Sequence, residues 1–166
     1  NRYIGRIQPG DVFITNDPYE GGSHLPDIFL FKPVFHNRIL VSYVCAMSHH
    51  TDIGGRVAGG NACDSTEIYQ EGLRIPPLKL YSAGYPNDTL FRIIEKAVRV
   101  PEIVQGDLMG QIAGLNYGES EYSRLTKDIG IKKVHESTRQ LLQYTESMTR
   151  QAIRCLPEGE WTSTDY

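Results

Sequence analysis

The sequence predicts a mixed α and β (α+β) fold, a β-hairpin followed by C-terminal packing helices, on three observations. Two apolar stretches, residues 28–35 and 39–47, flank a polar step, the pattern of antiparallel strands joined by a tight turn. Start and stop signals for helices fill the second half. No linker or internal repeat separates the halves, so one domain over residues 1–166 is the economical organisation.

Taken in order, Gly10-Asp11 punctuates the start and Val12-Phe13-Ile14-Thr15 reads as a short strand. Asn16-Asp17-Pro18 and Gly21-Gly22 mark a turn-rich loop. The hairpin follows, with His36-Asn37 as its two-residue turn and Pro33 indicating an edge or a bulge. Cys45 lies in its second strand and reads as a small buried hydrophobe. Residues 51–60 are glycine-rich and irregular, and Pro76-Pro77 forbids a helix in the stretch after them. Asn87-Asp88 caps a helix through Ala97, and Pro101 opens another to about residue 122. A last helix covers roughly residues 131–155, with Val134, Leu141, Leu142 and Met148 in its apolar stripe as core or subunit contact. Gly106, Gly110, Gly114 and Gly118 recur every four residues on one helical stripe. Each costs about 1 kcal/mol relative to Ala there, which favours close approach of another backbone over a broken helix.

Composition narrows the function. A net charge of −3 and a pI near 6.0 argue against a nucleic-acid or anionic-membrane surface. No apolar run is long enough to span a bilayer. Cys45, Cys63 and Cys155 form no CxxC pair, which points to a reducing, cytoplasmic setting rather than a disulfide framework. Asn1 is not an initiator Met, and Trp161 onward reads like a strand lacking its partner, so the chain is expected to be part of a larger polypeptide.

The chemistry concentrates in residues 17–52, where His24, His49 and His50 lie among Asp17, Asp27 and Asp52. If Phe35 pairs with Arg38, the same register places His24 opposite His49 at the hairpin's open end, with Cβ atoms about 4.5–5.5 Å apart. His50 then points to the other face. Asp27 is out of phase with His24 on an ideal strand, but Pro26 breaks that ideality. Two imidazoles and a carboxylate are the donor set of a Zn, Mn or Fe(II) site with open positions, so the hairpin is read as metal-bearing through His24, Asp27 and His49. Asp17, His50 and Asp52 are candidates for its surroundings. Glu71 and Asp52 are the candidate catalytic carboxylates. The glycine pairs at 54–55 and 59–60 lack a following GKS/T, so they are assigned to turns, and no nucleophile elbow exists.

The strings GDVFITNDPYEGGSHLPD and SHHTDIGG, with YQEGLRIPPLKL and RVPEIVQGDLMGQIAG downstream, resemble the hydantoinase B / 5-oxoprolinase family across nearly the whole chain. The resemblance implies a partial domain of a larger subunit in an ATP-dependent enzyme that opens a hydantoin, 5-oxoproline or similar lactam. ATP would bind a hydantoinase A-type partner subunit or domain. Related acetone and acetophenone carboxylases place a metal on a His-x-x-Asp and a later His, which fall here on His24, Asp27 and His49. The doubled histidine and the Leu-Pro-Asp after His24 resemble the hydantoinase branch more closely than the ketone carboxylases. The remaining alternatives are a ketone carboxylase subunit, a non-haem Fe(II) oxygenase, whose triad is spaced His-x-Asp instead, and a non-enzymatic, metal-stabilised assembly subunit.

Overall fold

A computed structural model describes residues 3–60 and 62–165. The strands are β1 (Val12–Thr15), β2 (Asp27–His36), β3 (Ile39–His49), β4 (Leu78–Ser82) and β5 (Tyr85–Pro86). The helices are α1 (Asp88–Ala97), α2 (Pro101–Ile129) and α3 (Ile131–Arg154). The mixed α and β class and the hairpin are as expected. The chain divides into two compact units, one up to Glu121 and one from Tyr122 onward.

In the first unit the strands form an antiparallel sheet ordered β3-β2-β1-β4-β5. β4 is not apparent in the sequence, because Pro76-Pro77 directly precedes it and masks the alternation of Leu78 and Leu80 with Lys79 and Tyr81. One face of the sheet is the core face. Val12, Ile14, Ile28, Leu30 and Leu80 are buried there against Leu90 and Ile94 of α1 and Val104, Leu108 and Leu115 of α2. Val44 and Ala46 of β3 join this face, and period-2 alternation sends the intervening strand residues to the opposite one. Phe29 and Phe31 stack there with centroids 6.4 Å apart, opposite Met47 and Cys45 of β3. Cys45 is therefore exposed rather than buried, because its strand is packed on one side only. An apolar cleft of about 360 Å³ opens beside Phe13, Phe31 and Tyr43.

The hairpin register differs from the expectation. The turn is Asn37-Arg38, both with positive φ (49° and 65°), the geometry suited to a tight hairpin. A bulge between Val34 and Phe35 then shifts the ladder, so His49 pairs with Asp27 and not with His24.

Gly118 is the one member of the glycine stripe with a close neighbour: a Cβ there would lie 2.7 Å from Val44 Cγ1. Gly106, Gly110 and Gly114 have open space beside them, so the close-approach expectation fails for these three.

The second unit holds the end of α2 and all of α3. Thr126 and Val134 are buried, while Leu141, Leu142 and Met148 of the α3 stripe are exposed. Residues 161–165 form no strand.

Candidate metal centre

His24 reaches the site through a turn rather than a strand. The Asp27 N–H donates to the His24 carbonyl (3.0 Å), closing a four-residue loop around Leu25 and Pro26, both buried. Upstream, Asp17 accepts from Tyr19 N (2.9 Å) and caps the short 3-10 turn Pro18–Glu20. Gly22 must be glycine, since a Cβ would fall 2.6 Å from the Asn16 carbonyl oxygen. His49 ends β3 directly opposite Asp27, and the His50 N–H donates to the Pro26 carbonyl at 2.8 Å.

These elements bring His24, Asp27 and His49 together. One donor atom from each lies within 4.8 Å of the others. His24 Nδ1 is 2.9 Å from Asp27 Oδ2, the oxygen that also accepts from Ser23 Oγ at 2.5 Å. The two imidazoles face each other at 5.0 Å between centroids. Donors around a cation at bond lengths of 2.0–2.1 Å stand about 3–4 Å apart, so the cluster needs only a small contraction to hold one. Register puts Asp27 and His49 on the same sheet face as Phe29 and Met47. His49 is exposed there and the other two are half-buried.

The other candidates stand apart from this cluster. His50 is fully buried on the core face, its Nε2 3.0 Å from Gln111 Oε1. Asp17 pairs with Arg74 at 3.5 Å. Asp52 is 2% exposed and is occupied by Arg99. Its Oδ2 accepts from Arg99 N (2.5 Å), and its Oδ1 from Arg99 Nη1 (2.9 Å) and Gly59 N (3.4 Å). Burial pushes this carboxyl up, but the Arg99 and Gly59 donors and the guanidinium charge outweigh it and hold the pKa below the usual Asp value. A carboxylate so engaged is a clamp for the 52–59 loop, and the structure does not offer it as a free base. Arg99 completes the clamp with Nη2 on the Gly55 carbonyl (2.6 Å).

Glu71 ends the short 3-10 turn Ile68–Gln70, half-buried, and its carboxylate has no hydrogen-bond or ion-pair partner among the described residues. Sequence reasoning missed Ser23, Asn16, Arg99 and Gln111. Only Gln111 carried a signal, as a polar residue within the apolar stripe Val104, Leu108, Leu115 of α2.

Paired imidazoles and a carboxylate at the open edge of a one-sided sheet are a donor set that could hold a divalent cation. The chain, over residues 1–166, belongs to the hydantoinase B/oxoprolinase family. It is 35% identical over 158 residues to the B-type subunit of a putative D-/L-hydantoinase from Pseudomonas sp. (strain NS671), covering 95% of this chain and 27% of that protein. Identity to the β-subunit of the caprolactamase from Pseudomonas jessenii is also 35%, with the same coverage of each. The crystal structure of the ATP-dependent caprolactamase from Pseudomonas jessenii superposes with a TM-score of 0.89 at 34% identity, over 95% of this chain and 27% of that one. The chain thus spans 27% of the length of these relatives.

Proposed function

We propose that the chain is the metal-bearing part, a single partial domain, of the catalytic subunit of a cytoplasmic ATP-dependent amidohydrolase that opens a hydantoin, 5-oxoproline or similar lactam. The observation that carries this is the convergence of His24, Asp27 and His49 on an exposed sheet face, in a chain of the hydantoinase B/oxoprolinase family. Bound there, Zn, Mn or Fe would polarise a carbonyl or lower the pKa of a water toward about 7. Asp27 presents one oxygen to the site while Ser23 fixes its orientation. Phe29 and Met47, on the same face, offer apolar surface for the methylenes of a small ring. Glu71 is the proposed general base, since its carboxylate is unengaged and Asp52 is not. Hydrolysis of an unstrained lactam is uphill without activation, so ATP is consumed on a hydantoinase A-type partner, and the chain contains no phosphate loop motif.

The assay is ATP-dependent ring opening of 5-oxoproline, hydantoin and caprolactam by the full-length subunit with its partner. His49→Ala is expected to abolish turnover while leaving assembly with the partner intact. Unchanged turnover in His49→Ala would refute the assignment, and ATP-dependent carboxylation of acetone or acetophenone supplied with bicarbonate, with no lactam opened, would move the protein to the carboxylase branch.

A further inference from the structure

Two buried amide side chains touch the residues next to the ligand cluster. Asn16 is fully buried and its three side-chain hydrogen bonds all run to main chain. Its Nδ2 donates to the Leu25 carbonyl (2.8 Å) and the Leu73 carbonyl (2.9 Å), and its Oδ1 accepts from Ile75 N (2.6 Å). Leu25 sits between His24 and Asp27, so Asn16 ties the ligand-bearing turn to the 73–75 segment. Gln111, also buried, acts from the core side. Its Nε2 donates to the Ile28 carbonyl (2.9 Å), next to Asp27, and its Oε1 meets Nε2 of His50 (3.0 Å), next to His49.

The Gln111 bond to Ile28 fixes the orientation of the amide, and that in turn fixes the tautomer of His50. Its Nε2 donates to the amide oxygen, and Nδ1 is buried with no hydrogen-bond partner among the described residues. A buried unpaired acceptor lowers stability. An apolar pair at 50 and 111 would avoid that loss, so stability alone does not account for this arrangement. We propose that Gln111 and Asn16 are positioning residues for the metal centre: they hold the main chain beside His24 and Asp27, and the His50 side chain beside His49, so that the donor atoms converge. This rests on the metal reading of His24, Asp27 and His49.

The test measures Mn(II) affinity of the full-length protein by electron paramagnetic resonance, together with the visible absorption of the Co(II)-loaded form. Gln111→Met keeps the side chain's size and removes both hydrogen bonds. Asn16→Asp keeps the acceptor for Ile75 and removes both donors. Each is expected to weaken Mn(II) binding by roughly 10–100-fold, the range for groups that orient metal ligands, and to change the Co(II) spectrum. Leu108→Ala, a truncation in the core stripe of α2, should lower the thermal midpoint yet leave both metal readouts at wild type.

His49→Ala separates metal binding from ligand positioning. If it retains Mn(II), the metal reading fails and the positioning proposal goes with it. If it loses Mn(II) while folded Gln111→Met keeps wild-type affinity and spectrum, the positioning role alone is wrong. Loss of affinity in Leu108→Ala equal to that in Gln111→Met would also overturn it, since any core damage would then suffice. Should Gln111→Met not fold, Asn16→Asp carries the same test with the same outcomes.

Discussion

Asp52→Asn removes the charge of the clamp that anchors the loop after His49. The substitution keeps the shape and one acceptor oxygen, but its Nδ2 must face either Arg99 N or the Arg99 Nη1 and Gly59 N donors, so at least one hydrogen bond is lost and the rest no longer reach a carboxylate. A hydrogen bond to a charged group contributes about 1.5–3 kcal/mol and a neutral one about 0.5–1.5. The Arg99 side chain is 43% exposed, so its share is discounted for solvent screening. About 2 kcal/mol of lost stability at pH 7 is the expected sum. The sign with pH follows from the lowered pKa of Asp52. Its contribution is fully present above the unfolded value near 3.9 and is lost as pH falls through the lower folded value. Urea denaturation of wild type and Asp52→Asn at pH 7, 5, 4 and 3 should show a constant gap down to about pH 4 that then closes. A gap that persists undiminished at pH 3, or widens in acid, would refute the charge argument.

Three further outcomes are expected. Gly110→Ala and Gly114→Ala, in open helical positions, should each raise the denaturation midpoint by the equivalent of about 0.4–1 kcal/mol, while Gly118→Ala, closing on Val44, should lower it by about 1 kcal/mol; the same sign at all three would show that Val44 does not confine Gly118. Gly54→Ala should destabilise by more than about 1 kcal/mol, since φ is 86° and its Cβ would meet the Ala97 carbonyl at 2.5 Å; a neutral result in denaturant titration would mean the loop re-forms freely. Isothermal titration of the chain with Mg-ATP should show no binding, and micromolar affinity would overturn the assignment of ATP to a partner.

Much of the fold is legible in the sequence because the signals are local. Asn87 caps α1 through Leu90 N as its position indicates, and Pro101 opens α2. The hairpin is legible from its apolar runs, but its register is not. Arg38 is an unusual residue for a positive-φ turn position, and the bulge after Val34 leaves no mark in composition. The sequence therefore points to the candidate cluster through the wrong pairing: Asp27 faces His49, and His24 arrives from the Leu25-Pro26 turn. Cys45 is misplaced by its sequence context because an apolar, β-branched run does not tell how many faces of a sheet are covered. Asn16 looks like an ordinary loop polar and Asp52 like a candidate catalytic carboxylate, because the partners that engage them, Ile75 and Arg99, lie 59 and 47 residues away.

If His24, Asp27 and His49 hold one divalent cation, removing a ligand removes the metal. Elemental analysis of the purified full-length protein, beside His24→Ala, Asp27→Asn and His49→Ala, tests it most directly. One equivalent of Zn, Mn or Fe per wild-type chain is expected, with loss of that metal in His24→Ala and His49→Ala and no loss of fold. A metal-free wild type that stays metal-free after incubation with all three ions, or variants that keep a full equivalent, would contradict it.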